Sequence, residues 1–415
     1  MPIRFKSYKK IVLVMWVLAI ATIPIWSAIQ NPKPGWDLQV YRNAVHALRI
    51  GHDPYADGIA RQQSYHETGP HPVDDMPPYT YVYSLLTLPA LRVAAQHPRI
   101  FSVGLYWLFY CAGALSMVWA GKQAADEGEL PFVAFVAPAA VYFPCLLQSS
   151  VILSGNVAYV LYGLVLTAAI LGWKCGRWAV FYIAVFLAAC CKAPMLTLLA
   201  IPVLSARRQW LPAGATAAAA LALFGLQPIL WPSQFGHYLQ AVELQFSYNH
   251  DFGVSPAGLF GNTLYAFHLP YSPASGVLYV TYALAVCLVL FRLSTYFHAG
   301  RITLEQWMPL ILVGTVLLNP RIKEYDVAAI TMPLAIILWR LCALSATPLE
   351  QAWKALAMLL GCNWIVATAG DGVWEPTACL LLLGLFAGGA WEATRLLPEP
   401  HQIKQVMSPQ REMAY

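Results

Sequence analysis

Charge is scarce in this chain: 11% of its 415 residues are Asp, Glu, Lys or Arg and 59% are hydrophobic, whereas soluble domains carry roughly 25% charged residues. That balance argues against a water-soluble fold. Between Gln209 and Phe291 there is no Lys or Arg at all. The net charge of +5 comes from short basic groups at the ends of apolar runs, so it reports membrane topology and not a nucleic-acid surface. Nine cysteines, among them Cys111, Cys145, Cys190, Cys191, Cys287 and Cys379, show no paired spacing, which argues against a disulfide framework and a zinc site. A phosphate-binding loop is missing too: Gly121-Lys122 is followed by Gln123 and lacks the upstream glycine. The run from His66 to His71 does not have zinc-protease spacing, and Gly69-Pro70 interrupts the helix that motif needs. His46, His52, His237, His250 and His268 read as ordinary loop histidines, so no metal is expected.

What is present is a series of apolar runs of nearly membrane-spanning length, at 78–95, 100–120, 131–148, 151–172, 177–205, 211–230, 277–297, 304–319, 326–344, 351–368 and 376–394. Lipid leaves only helices and closed barrels viable, and these runs are too long and uniform for barrel strands. An all-α polytopic membrane protein with about 11–13 transmembrane helices follows. Ile11–Ile29, behind Arg4, Lys6, Lys9 and Lys10, reads as an uncleaved first span. The basic groups at 174–177, 207–208, 292–301, 340–354 and the tail at 395–415 are assigned to the inside. That leaves residues 30–77 and 231–275 as two external loops within one membrane domain, 1–394. One segment before Lys174 must then be re-entrant or interfacial, and the short, proline-bounded 78–95 and 131–148 are the candidates. The run 177–205 is too long for one span and reads as a hairpin with Lys192 and Pro194 at its apex. In the first loop, Trp36 to Ile50 has helical spacing, with Val40, Tyr41, Ala44, Ala47 and Leu48 on one side and Arg42, His46 and Arg49 on another, as in an interfacial helix.

Ionisable groups in such a chain mark sites by default. Asp37 opens the interfacial helix, where a carboxylate either complements the helix dipole or acts as a base; spacing does not choose between them. Lys192 either snorkels from a helix end or faces a substrate. The turn from Asn319 to Asp326 carries Arg321 and Lys323 on the external side, against the positive-inside tendency. These cations either bind an anionic group such as phosphate or pair locally with Glu324 and Asp326.

These residues resemble glycosyltransferase family 87, the polyprenyl-phosphate-sugar-dependent enzymes of GT-C architecture. The likeness runs in order through most of the chain on short motifs: Asp37, Val40-Tyr41, Ala44, Gly51 and Pro54-Tyr55; then Pro77-Pro78-Tyr79-Thr80-Tyr81; Gly155-Asn156; Lys192-Ala193-Pro194; and Trp231-Pro232, Tyr238-Leu239 and Ser255-Pro256. A departure stands in the later turn, where many relatives have Ser-Pro and a histidine five residues on; here Asn319-Pro320 and Tyr325 occupy those places.

The resemblance implies transfer of a sugar, usually mannose, from a polyprenyl phosphate to a hydroxyl acceptor at the outer face of the cell (inner) membrane. The lipid-linked sugar is then a co-substrate, and no separate cofactor is implied. Asp37 would be the general base of an inverting displacement. Tyr41, Tyr55, Tyr81, Asn156, Lys192, Arg321, Lys323 and Tyr325 would line the substrate, with the cations on the leaving phosphate. Partners are the lipid-linked donor and membrane lipids. Two competing readings are a transporter or flippase, whose ionisable groups should lie near the midplane of related halves, and a non-catalytic scaffold in which Asp37 is only a cap.

Overall fold

The computed structural model describes residues 36–69, 78–97, 111–116, 119, 131–142, 155–247, 253–268, 273–369 and 373–395. The expected first span at 11–29, most of the run at 100–120, and the tail beyond Arg395 lie outside the described residues. Among those described there is no strand, only one isolated parallel bridge between Gly253 and Ile322.

The first polar stretch folds as α1 (Trp36–Arg49) and α2 (Pro54–Glu67), and the apolar run after it completes a helical layer with α3 (Leu88–Gln96), entered through a 3-10 turn at Leu85–Thr87. The two faces of α1 come out as its spacing predicts. Val40, Tyr41, Ala44 and Ala47 are buried, whereas Arg42, His46 and Arg49 are exposed. Its apolar side, however, is covered by protein, in a cluster with Tyr55, Tyr81, Leu85, Leu88 and Leu91. Gly51 ends α1 with φ +82°, and Asp53 caps α2 by accepting the Tyr55 amide at 2.9 Å. Leu85 to Gln96 rises only about 18 Å as a helix, well short of a hydrocarbon core of about 30 Å. Of the two candidates for the one non-spanning segment, 78–95 packs into this layer. The other, 131–148, is described only to Tyr142, as an irregular turn leading into α4 (Ala137–Tyr142).

The bundle follows: α5 (Val157–Cys175), α6 (Trp178–Cys191), a 3-10 segment Ala193–Leu199 running into α7 (Ala200–Ser205), α8 (Trp210–Leu230), α9 (Pro232–Ser247), α10 (Pro256–Ala266), α11 (Pro273–His298), α12 (Leu304–Leu317), α13 (Glu324–Ala329), α14 (Thr331–Leu341), α15 (Pro348–Thr368) and α16 (Trp374–Arg395). Four of the described helices are long and apolar enough to cross a membrane: α5, α8, α11 from Ser275, and α16. Length does not decide burial. The short α12 and α14 are buried along Trp307–Leu317 and Thr331–Trp339. Long α8 and α11 instead turn Leu221, Ile229, Leu284 and Leu288 outward. The centre is formed by short α12 and α14 with much of long α5, and α8 and α11, together with Val180, Ile183 and Leu187 of short α6, carry the apolar perimeter that lipid would cover.

The run at 177–205 is a hairpin, as its length and basic flanks predict. The Tyr182 hydroxyl near the start of α6 donates to Gln209, beyond the end of α7, at 3.0 Å, so the chain has returned to where it began. Lys192 ends α6 in extended backbone and leads into the 3-10 segment at Pro194. At the return end, Ser294 donates to the Leu204 carbonyl at 2.5 Å and Trp307 Nε1 to Ser205 Oγ at 2.9 Å. The basic groups at 174–177, 207–208 and 292–301 consequently share one end of the bundle. Helices α12 and α14 run to the opposite end and back, which brings Arg340 to the basic end as well. At the opposite end lie Asn156, Lys192 and the turn 319–326.

The second polar stretch is tied to both units. His237 Nδ1 of α9 lies 2.8 Å from Asp53 Oδ2, and the Val254 amide donates to the Ile322 carbonyl at 2.7 Å. Gly253 makes the latter contact possible: its φ is +72°, and a Cβ there would sit 2.2 Å from the Ile322 oxygen. Gly253→Ala is expected to lower stability by about 1–3 kcal/mol in chemical denaturation of the detergent-solubilised chain. Gly236→Ala in α9, where a Cβ meets nothing within 4 Å, should be neutral or slightly stabilising.

Candidate functional site

The site grows from one buried carboxylate. Asp326, in the first turn of α13, is wholly buried; its Oδ1 accepts from Lys192 Nζ at 2.6 Å and its Oδ2 from the Lys323 amide at 2.9 Å. With both oxygens held, the carboxylate fixes two segments at once: the hairpin apex and its own turn. Lys192 also lies 4.8 Å from the centre of the Tyr325 ring, a cation–π arrangement that is strengthened where water is excluded. Asn319 anchors the start of the turn. It is buried, its Oδ1 accepts from the Arg321 amide at 3.1 Å, and its amide nitrogen approaches the Tyr162 hydroxyl of α5 at 3.4 Å.

A tyrosine network brings in the first polar layer. Tyr83 donates to Asn156 Oδ1 at 3.1 Å, so the 2.6 Å contact between the Tyr41 and Tyr83 hydroxyls has Tyr41 as donor. The Val157 amide donates in turn to the Tyr41 oxygen at 3.1 Å. Asn156 Oδ1 also accepts from Ala158 N at 2.9 Å and so caps α5. Burial first, with the neighbouring phenol and the Asp37 charge adding to it, holds the Tyr41 phenol well above the usual range. Burial and then Asp37 do the same for Tyr83. Both phenols therefore stay protonated and act as hydrogen-bonding groups, not as bases.

Asp37 sits in the first turn of α1, where the helix dipole favours its charge, and its Oδ2 is closed off from solvent. Its charge reaches Tyr41, Tyr83, Lys192 and Tyr325. The Arg321 charge also reaches Lys192 and Tyr325. Asp37, Tyr41, Asn156, Lys192, Arg321 and Tyr325, remote in sequence, are thus gathered at one end of the bundle.

Three of the sequence-derived residues have different surroundings. Tyr55 and Tyr81 are buried, their hydroxyls engaged by the Tyr83 carbonyl at 2.7 Å and Thr87 Oγ1 at 2.6 Å. With Tyr41, Tyr83 and Tyr238 they form a ring cluster with centroids 5.4–6.5 Å apart, so they support the site from behind. Lys323 points Nζ at Glu324 (3.5 Å) and Glu375 (3.6 Å), the local pairing that was the alternative to phosphate contact. Lys192 likewise has a protein carboxylate as its partner. Sequence reasoning passed over Tyr83 and the structural weight of Asp326. Tyr83 stood in plain alternation with Tyr79 and Tyr81, whereas no local pattern marks Asp326 as the partner of a lysine 134 positions away. No group of His, Cys, Asp and Glu suited to a metal occurs among the described residues.

Removing one member of a buried pair strands the other. Asp326→Ala should therefore destabilise the chain by about 3–5 kcal/mol, and the double variant Lys192→Met with Asp326→Leu by clearly less; chemical denaturation of the purified, detergent-solubilised variants reads the difference. Compared with protein-family models, with curated proteins and with solved structures, the chain matches none.

Proposed function

We propose that this chain is a GT-C-type membrane glycosyltransferase resembling family 87, moving a sugar, mannose in the usual case, from a polyprenyl phosphate to a hydroxyl acceptor at the end of the bundle opposite its basic groups. The observation that carries this reading is the gathering of one carboxylate, Asp37, and two cations, Lys192 and Arg321, from three distant segments around a protonated tyrosine pair.

The chemistry asks for little more. Asp37 takes the acceptor proton, the acceptor oxygen bonds to the anomeric carbon from the face opposite the phosphate, and the carbon–oxygen bond to phosphate breaks with its electron pair leaving on the phosphate. Inversion follows. A phosphate with a second pKa of about 6 departs at neutral pH without a general acid, unlike the alkoxide of glycoside hydrolysis, which needs a paired carboxylate. Positive charge near the leaving oxygens is what helps. Of the cations proposed from sequence, Arg321 suits that task best, because its planar fork can meet two phosphate oxygens. Lys192, held by Asp326, positions the turn that carries Arg321 and adds field at shorter range than a surface lysine would.

Membranes containing the wild-type chain, given labelled polyprenyl-phosphate mannose and a membrane-lipid extract as acceptor source, should form a labelled product. Asp37→Asn should abolish it while the protein remains folded and inserted; near-normal transfer by that variant overturns the assignment. Arg321→Gln should reduce transfer about 10²-fold, the scale for losing one preorganised charge-stabilising group.

A further inference from the structure

The basic end of the bundle holds a second cluster of charged side chains, remote from the site above. Helices α14 and α16 run in the same direction and meet closely near this end: a Cβ on Gly389 would come within 2.8 Å of Ile337 Cγ2, and one on Gly388 within 3.5 Å of Leu341. Arg340 is three residues beyond Ile337, on the face of α14 that meets α16. Glu392 is three residues beyond Gly389, and Arg395 three beyond Glu392, so both lie on the facing side of α16. The carboxylate of Glu392 feels the charges of both arginines, yet no ion pair or hydrogen bond within normal reach joins the three among the described residues.

The cluster therefore leaves buried donors to be accounted for. Arg340 Nε and Arg395 Nε are both shut off from solvent with no acceptor among the described residues, and Glu392 is 5% exposed. Leaving a charged donor buried and unbonded is costly, more so than for a neutral group. Two guanidinium groups against one carboxylate leave one positive charge in excess. Arg395 lies 4.9 Å from the centre of the Trp391 ring, and Trp391 is 60% exposed. An outward-facing tryptophan at the end of an apolar helix is the mark of the membrane–water boundary. Other cations, Arg207, Arg208, Arg292, Arg301 and Lys354, belong to the same end but sit on loops or outer turns, and Lys354 is paired with Glu350 at 2.6 Å.

We infer that Arg340 and Arg395 form a seat between α14 and α16 for a phosphate group at the membrane boundary, the phosphodiester of an anionic phospholipid being the ligand that Trp391 and the depth of the cluster favour. Basic pockets between transmembrane helices hold lipid headgroups in this way, and each guanidinium fork can offer two parallel N–H groups to phosphate oxygens. Glu392 then acts against binding, because its charge opposes the phosphate while helping to keep the empty arginines together.

The test uses the purified full-length chain in detergent, titrated with phosphatidylglycerol, with phosphatidylcholine, and with inorganic phosphate without lipid, bound lipid being counted by native mass spectrometry and stability followed by thermal melting. Phosphatidylglycerol should bind and stabilise where phosphatidylcholine does not. Arg340→Gln and Arg395→Gln should each weaken that binding about tenfold. Arg340→Lys is the control should the Gln variants fold poorly, and it should keep weaker but measurable binding. Glu392→Gln should bind phosphatidylglycerol more tightly than wild type, a gain that a purely structural role for Glu392 would not produce. Protection by millimolar inorganic phosphate, lost in Arg340→Gln, would also support the seat and identify its source as a soluble phosphate. Equal binding of the two lipids, or phosphatidylglycerol binding unchanged by Arg340→Gln combined with Arg395→Gln, would overturn the inference. Sugar transfer does not enter any of these readings.

Discussion

The contact between Lys192 and Asp326 is the constraint on which the candidate site depends. It joins a hairpin apex to a turn 134 residues later, and each partner would be expensive to bury alone. Isolated, the apex would be a kink with a charged side chain seeking water. The turn would be a loop whose acidic and basic groups cancel locally. Together they lock the position of Tyr325 against the ammonium and hold the Lys323 amide, while Asn319 holds the Arg321 amide, so the backbone that carries Arg321 is fixed on both sides. A network of this kind contributes definition of one arrangement more than net stability.

The first polar layer reaches that pair through neutral groups. Tyr41, Tyr83 and Asn156 form a directional series of hydrogen bonds that ends on the cap of α5, so the entry to a long apolar helix and the placement of Asp37 share the same side chains. Behind them the ring cluster of Tyr55, Tyr81 and Tyr238 supplies apolar contact area, with the Tyr55 and Tyr81 hydroxyls bonded. His237 and Gly253 complete the enclosure by holding the second polar stretch to Asp53 and to Ile322. The second polar stretch is thus held both to the first and to the turn that carries Arg321.

Much of this was legible in the order of residues because the physics behind it is local. The two faces of α1 follow from 3.6-residue periodicity, and the hairpin at 177–205 from a run too long for one span with basic residues at both ends. Asp37 and Lys192 drew notice because charge is rare in so apolar a chain. What could not be read is long-range pairing. Nothing near Lys192 names Asp326 as its partner, nothing near Lys323 names Glu375, and the burial of Tyr55 and Tyr81 depends on helices that arrive from elsewhere. A tyrosine beside a polar motif looks the same from the sequence whether it touches a substrate or supports a neighbour. The central helices α12 and α14 lie inside two of the apolar runs, 304–319 and 326–344, but are shorter than those runs because the turn 319–326 and α13 interrupt the second.

The brevity of α6 has a consequence for where a reaction could occur. Its 14 residues rise about 21 Å, while a hydrocarbon core is about 30 Å deep. If the basic residues before Trp178 lie at one membrane surface, as the sequence predicts, the backbone at Lys192 would end about 9 Å beneath the other. A phosphate attached to a membrane-dissolved chain would have to sink only slightly to meet it, whereas a fully water-soluble donor would have to descend into a cleft. Under the proposed function, the short hairpin would therefore favour a donor that already lives in the bilayer.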